Sequence, residues 1–572
     1  MRLLEGYLIA FALMNACSRR TTDVLTVLFF VAAYVLLKKM PQVQLKKDRI
    51  IAAICAGVFT LCYVLGNKEA LSGGLTNKLF LLFYMGCTIS GLFCLFYRIV
   101  LWILINSTRV KIFEEKRAYP IKMFLVFSGI IFLCMVPFLL TNYPAVMTPD
   151  SLSQYRQAAG LEGYSDHHPW LHTMIINLFY EIGYAISGNT YFAIACYTII
   201  QMILVAVSVS YVWCTLYEIG LKKKYCITGA VLFIIYPYNL IYGVTIWKDI
   251  LFTMSVLVLT VTLFRMHCRL NEEDGIKVRD WILYTVCGFF MCMLRHNGFY
   301  AFLVFVPFMI WFFRKKWKYL IPLTVLVLAA CFVIKGPVMA AADVEPGKLA
   351  FKLCLPLQQI GRVIADDCEL TEEEITEIEK VNVISYVKEN YQRGGADPMF
   401  AWVIYGNQEY LEDNMGEYLE LWISLGLKYP GKYIQAFIDL TKGYWYPMDP
   451  EQVVYFGITE NENGLTSQAV LKGPIVIKIH EFLTKLYTIF PIYGIMYSMG
   501  AVLWLLILLI AIAVRNGNHS MWIAGIPLVL LTLTLFIAVP LVADIRYGYP
   551  LLVAIPSIAA FTFRTKESTT EG

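Results

Sequence analysis

Long apolar runs, separated by short charged stretches, dominate the pattern of this chain. They fall at roughly 3–17, 22–37, 50–66, 78–105, 121–141, 190–214, 225–244, 250–266, 281–294, 299–313, 319–335, 491–514, 521–541 and 549–563. A helix needs ~20 residues to cross a bilayer, and none of these runs shows the ~10-residue alternation of a barrel strand. They predict an all-α polytopic membrane protein with about fourteen transmembrane helices. The first run is followed by Arg19 and Arg20 and has no clear cleavage site. It reads as a short span or interfacial helix, not a signal peptide.

Composition agrees with the pattern. Of 572 residues, 59% are hydrophobic and 16% charged, with a mean hydropathy of +0.62. A soluble domain cannot hide that much apolar surface, so a soluble enzyme, a disordered chain and a collagen-like fibre are excluded. The net charge of +5 carries no nucleic-acid signature. Fifteen cysteines lie almost all inside apolar runs, where a thiol behaves as a small hydrophobe. Cys354 and Cys368 are the exceptions, and the spacing leaves open whether they pair.

Basic clusters then orient the chain by the positive-inside rule. They lie at 38–49, 109–117, 222–224, 265–279 and 314–318, with Arg515, Arg564 and Lys566. All fall on one side, expected to be the cytoplasm of a bacterial plasma membrane, with both termini there. Arg19 and Arg20 alone break the rule. The expected organisation is accessory helices over 1–117, a membrane core over 118–335, and an extracytoplasmic domain over 336–490. C-terminal membrane helices over 491–564 and a short polar tail over 565–572 complete it. No internal repeat is visible. In the extracytoplasmic part, Thr371 and Glu374 suit a helix-capping box. Trp402, Trp422 and Trp445 suit its core better than a sugar platform.

Chemistry concentrates on the outward side. The loop 142–189 carries Asp150, Arg156, Asp166, His167, His168 and His172, with Pro169 opening a helix over about 169–186. His168 and His172 are spaced i,i+4, one face of a helix. Three further polar groups face the same side: Lys248–Asp249, Arg295 with Gly298, and Asp544, Arg546 and Tyr547. Outward loops need no basic residues, so Lys248, Arg295 and Arg546 read as held for an anion. Cations beside carboxylates at a membrane face describe a site for a lipid phosphate. A carboxylate there can take a proton from an attacking hydroxyl.

These motifs resemble the GT-C superfamily of integral-membrane glycosyltransferases, nearest its protein O-mannosyltransferase and lipid A aminoarabinose transferase branch. Asp150 matches the acid of the first outward loop. His167-His168-Pro169-Trp170-Leu171 matches the motif that opens a juxtamembrane helix. Asp249 matches an acid before a span, Arg295 and Gly298 a later basic-glycine pair, and Asp544, Arg546, Tyr547 and Pro550 the closing acid-x-Arg-Tyr-x-x-Pro run. The likeness covers about 120–340 and 490–565. Ser151 stands where the family carries a second acid, one proline stands for two, His stands for Lys, and four N-terminal spans are extra.

The resemblance implies inverting sugar transfer from a polyprenyl-phosphate donor to a glycan, lipid or protein acceptor of the cell envelope, on the outer face. Asp150 would be the general base and Asp249 a second catalytic acid residue. His168 would stand at the phosphate-contacting position, with Asp166, His167, Lys248, Arg295, Arg546 and Tyr547 around the substrate. No metal or other cofactor is assigned, although the Asp and His residues include suitable divalent-ion ligands. The expected partners are the donor, the acceptor and membrane lipid, with no nucleic acid. A transporter or flippase of a lipid-linked saccharide is the alternative, and a non-catalytic scaffold ranks third.

Overall fold

The computed structural model describes residues 2–19, 23–40, 45–270, 272, 275–402, 407–447, 454–489, 491–518, 520–538 and 543–564. Arg20, Lys566, the tail 565–572 and the side chain of Trp402 lie outside the described residues. Each apolar run is helical. The helices used below are α1 (Arg2–Ala16), α2 (Leu25–Lys39), α3 (Lys46–Gly66), α4 (Lys78–Ser107), α5 (Ile121–Asn142), α6 (Pro149–Ala158), α7 (Trp170–Ser187), α8 (Thr190–Glu218), α9 (Lys223–Ile235), α10 (Pro237–Gly243) and α11 (Lys248–Cys268). After them come α12 (Val278–Leu294), α13 (His296–Phe312), α14 (Trp317–Val333), α15 (Cys354–Ala365), α16 (Glu372–Val381), α17 (Met415–Lys428), α18 (Pro430–Trp445), α19 (Met499–Arg515), α20 (Ser520–Ile537) and α21 (Ile545–Thr562). Among the described residues there are isolated bridges but no strands.

Among the described residues, seven helices are long and apolar enough to cross a membrane, or eight when the bent α9–α10 pair counts as one span. In α5 only 17% of the most apolar stretch is buried inside the protein, at a mean hydropathy of 2.6. Such a surface has no stable partner in water, and its internally bonded backbone suits hydrocarbon. The chain is an all-α membrane protein.

At the centre stands α11, 89% buried over the same measure. It packs against α8, α12, α20 and α21, while α1, α2 and α4 form a separate hairpin group joined through α3 to α19. Two expected runs are interrupted. The run 225–244 bends by 71° between Ile235 and Pro237, because a residue before proline is pushed out of the α region and Tyr236 is extended. The rings of Tyr236 and Tyr238 fill the bend against Tyr497, at 4.4 and 4.1 Å. The run 491–514 breaks at Ser498, whose hydroxyl accepts from Ala501 N at 3.3 Å and starts α19.

The two ends of α11 differ. Its 21 residues span roughly 30 Å at ~1.5 Å per residue. At the C-terminal end Arg265, fully buried, bonds Asp280 and lies 3.2 Å from Glu218. Arg269 and Arg279 also reach Glu218, at 2.8 and 2.6 Å. This ionic knot ties α8, α11 and α12 together. Removing one member leaves a buried charge unpaired. Asp280→Ala is therefore expected to cost about 3–5 kcal/mol, read as a lower thermal unfolding midpoint in detergent; an unchanged midpoint would contradict the knot's structural role.

Beyond α14 the helices α15 to α18 enclose a core of their own, with Leu357, Ile360, Val363 and Leu425 at its centre. Trp422 belongs to it, donating to Gln359 Oε1 at 2.8 Å. The Thr371–Glu374 capping box forms at the start of α16, at 2.7 and 3.1 Å. Cys354 and Cys368 are both free thiols. The end of α18 joins the membrane helices, where the Trp445 carbonyl accepts from Trp504 Nε1 at 3.0 Å.

Candidate active site

The N-terminal end of α11 carries a second cluster, built from segments far apart in sequence. The loop after α5 is pinned from two sides. Val146 N donates to Val244 O at 3.0 Å, Ile246 N to Val146 O at 3.0 Å, and Met147 N to Gly457 O at 2.9 Å. This fixes the start of α6 beside the start of α11. Ser151 completes the junction: its buried hydroxyl donates to Ile246 O at 2.7 Å and accepts from Thr148 N at 3.2 Å. Trp247 Nε1 bonds Thr148 Oγ1 at 2.8 Å. The position that carries a second acid in the GT-C pattern is here a buried clamp.

Asp150 sits in the first turn of α6, where the helix dipole favours a carboxylate. Its Oδ2 takes Lys248 Nζ at 3.3 Å and Arg546 Nη1 at 3.0 Å. Both cations sit on Oδ2, which leaves Oδ1 for a further partner. Burial alone would raise this carboxyl, but the Lys248 and Arg546 charges outweigh it and hold Asp150 well below the usual carboxylate range. Arg546 is itself held on three sides. Its Nε lies 3.1 Å from Asp544 Oδ2, and its Nη2 donates to Tyr547 OH at 3.1 Å. Its guanidinium also stacks at 5.4 Å over Trp247.

Arg295 stands on the other face of Tyr547's surroundings, 4.7 Å from that ring, and pairs with Asp249 Oδ1 at 2.5 Å. Asp249 is 1% exposed. Its Oδ1 is thus taken by Arg295, which it holds in place.

The histidines separate. Helix α7 begins at Trp170, so His168 precedes it and does not share a helical face with His172. His168 is buried, and its Nδ1 lies 3.2 Å from Lys248 Nζ. Burial and the Lys248 charge hold its imidazole well below its ordinary range. A neutral imidazole there accepts from Lys248. Fully buried His172 bonds Gln154 and Tyr197 at 2.9 and 2.6 Å, away from the cluster, and burial lowers it to about 3. Asp166 caps α7, its Oδ1 accepting from Trp170 N at 3.3 Å. Its carbonyl accepts from His296 Nε2 at 3.2 Å. His167 is exposed and its ring lies 4.3 Å from that of Phe351, tilted by 43°.

Sequence reasoning missed one carboxylate. Asp397, at the start of a short helix Asp397–Trp402, lies within electrostatic reach of Asp150 and Arg546. Burial by its surroundings raises its carboxyl, against the pull of Arg546 and with the push of Asp150. No motif marks it; only the fold of the domain carries it there. Among the described residues no three His, Cys, Asp or Glu side chains converge as a metal cage.

The match to known families is extensive: a family model described as "Family of unknown function (DUF6020)" covers residues 161–572, well over half the chain. The chain belongs to the DUF6020 family. No curated protein and no solved structure matches it. The part matched to DUF6020 takes in His168, Lys248, Asp249, Arg295 and Arg546, and begins beyond Asp150.

Gly298 shows how tightly this DUF6020 chain holds Arg295. A Cβ at 298 would overlap the Met291 carbonyl oxygen and the Phe252 ring. Gly298→Ala is expected to push α13 from α12 and shift Arg295, with a loss of about 1–3 kcal/mol from overpacking. Thermal unfolding checks this, and a variant as stable as the parent would contradict the close approach.

Proposed function

We propose that the protein is a GT-C-type membrane glycosyltransferase that moves a sugar from a polyprenyl-phosphate donor to a cell-envelope acceptor. In this reading the fourteen apolar helices all cross or enter the bilayer, the α11 C-terminal knot faces the cytoplasm, and the Asp150 cluster opens on the outer face of a bacterial plasma membrane. The observation that carries the reading is the meeting of Asp150, Lys248 and Arg546 at the end of the central membrane helix, at 3.3 and 3.0 Å.

The chemistry follows from the charges. Lys248 and Arg546 offer N–H donors to the donor phosphate, and Arg295, fixed by Asp249, adds a third cation. The acceptor hydroxyl oxygen attacks the anomeric carbon, the bond from that carbon to the phosphate oxygen breaks, and the pair leaves with polyprenyl phosphate. Asp150 takes the hydroxyl proton. Held by two cations, Asp150 is a weak base in the empty site. A phosphate drawn onto the same cations adds negative charge beside it and lifts its pKa toward the working range, so donor binding switches the base on. His168, neutral, keeps Lys248 aimed. Lys248, Arg546 and Arg295 together supply the positive charge that neutralises the phosphate.

Two measurements follow. With protein in nanodiscs, an α-linked donor should give a β-linked product, read by nuclear magnetic resonance of the anomeric proton; retention of configuration would overturn the single-displacement reading. The pH profile of kcat/KM reports the free enzyme, and Asp150 is depressed there. Its acid limb should therefore be absent around pH 4, the ordinary carboxylate range; a limb at pH 4 would place a different group in the base role.

The bend at Pro237 favours the transporter alternative, since broken helices mark such sites. Movement of an intact lipid-linked saccharide across proteoliposomes, with no loss of its sugar, would support it over transfer.

A further inference from the structure

A second polar cavity lies away from the Asp150 cluster, between the α15–α18 domain and the short helix Lys68–Leu71 that follows α3. Its volume is about 510 Å³. Its organiser is Arg362, with a side chain only 7% exposed. Arg362 Nε donates to Asp366 Oδ2 at 2.8 Å, Nη1 to Asp439 Oδ2 at 2.8 Å and Nη2 to Gln435 Oε1 at 3.3 Å. Lys432 Nζ reaches Asp366 Oδ2 at 2.7 Å. Arg393, 60% exposed, lies 3.6 Å from Glu69 at the rim, and Lys68 completes it. Four cations thus meet three carboxylates once Glu69 is counted.

We propose that this cavity binds an acidic saccharide, a polyhydroxylated ligand bearing a carboxylate or a phosphate. The lining is charged or amide throughout, which disfavours an acyl chain or an aromatic side chain. Fixed carboxylates and the Gln435 amide suit sugar hydroxyls, while Lys68, Arg393 and Lys432 remain reachable by an anionic group. The excess of one cation is left for that anion.

Its place suggests a purpose that rests on the transferase reading. Helix α18 links it to the Asp150 cluster. Asp439 is one turn of α18 from Gly443, which packs against Ala543, next to Asp544. From Lys432 to Tyr444 is twelve residues of α18, roughly 18 Å, the reach of a few sugar units. An extended acidic acceptor held here would deliver its end to the site.

The test is calorimetric titration of the full chain in nanodiscs of zwitterionic lipid. The probes are a glucuronate-containing tetrasaccharide, glucose 6-phosphate, neutral glucose and inorganic phosphate. The two acidic sugars distinguish a carboxylate from a phosphate as the anion. At least one should bind tenfold or more tighter than both glucose and inorganic phosphate, and Arg393→Gln with Lys432→Gln should weaken it at least tenfold. If that double variant loses its thermal transition, Lys68→Gln serves, since Lys68 stands outside the Arg362 network, and a loss of threefold or more is expected. Failure of both acidic sugars to bind, or binding that these substitutions leave unmoved, overturns the proposal. So does inorganic phosphate binding as tightly as either sugar. Acidic-sugar binding by a protein that never turns over a lipid-phosphate donor would sink the transferase reading and leave the binding site standing; donor turnover without such binding would do the reverse.

Discussion

Asp150→Asn should reduce sugar transfer by at least about a thousandfold while the protein stays folded, general-base contributions being typically 10²–10⁴. The substitution keeps the volume and an acceptor oxygen for Lys248 and Arg546, at 3.3 and 3.0 Å in the parent, so the junction of α6 with α11 has no reason to open. It removes the negative charge that competes with the phosphate for those cations. Donor affinity should therefore rise, or at least hold, as turnover falls. A residue with a merely structural role would lose affinity and turnover together. Binding of a polyprenyl phosphate in parallel with turnover reads the split, and an Asn variant that turns over at the parent's rate would remove Asp150 from the chemistry.

Arg546→Ala should act in the opposite sense. Arg546 touches Asp150, Asp544 and Tyr547 and stacks on Trp247. A hydrogen bond to a charged group is worth about 1.5–3 kcal/mol, so donor binding should weaken roughly ten- to a hundredfold. Lysine should not rescue it, because a point charge cannot hold the forked contacts to Asp150 and Tyr547 or the stack on Trp247. Donor affinity equal to the parent's would contradict its phosphate role. Loss of the Arg546 charge also frees Asp150 toward its ordinary range, so the Ala variant should regain an acid limb in kcat/KM that the parent lacks.

Much of this was written in the chain. The apolar runs marked the helices because hydrocarbon demands continuous apolar stretches, and that demand is local. Lys248, Arg295 and Arg546 stood out because the expected topology puts them on the side that a positive-inside sequence keeps free of cations, and the structure brings them and their carboxylates to one end of α11. What failed to show was long-range. Prolines sit inside α5, α13, α14, α20 and α21 without breaking them, so Pro237 gave no sign that it alone would bend its run by 71°. His168 could not be read as neutral, because the Lys248 charge that depresses it comes from a distant helix. Nothing in the sequence showed that Asp249 would be buried against Arg295 or that Asp166 would cap the next helix. Arg265 passed for one of several cytoplasmic charges, yet it is the fully buried centre of the knot. Asp397 had no motif, since only the tertiary fold brings it within electrostatic reach of Asp150 and Arg546.

The central claim is that the Asp150 cluster consumes a lipid-phosphate sugar. The most direct measurement is release of free polyprenyl phosphate from a panel of polyprenyl-phosphate sugars by the purified chain in nanodiscs, with an envelope extract as acceptor and Asp150→Asn alongside. The account predicts release by the parent from at least one donor and none by the variant. Equal release by both, or no release from any donor together with no detectable donor binding, would contradict it.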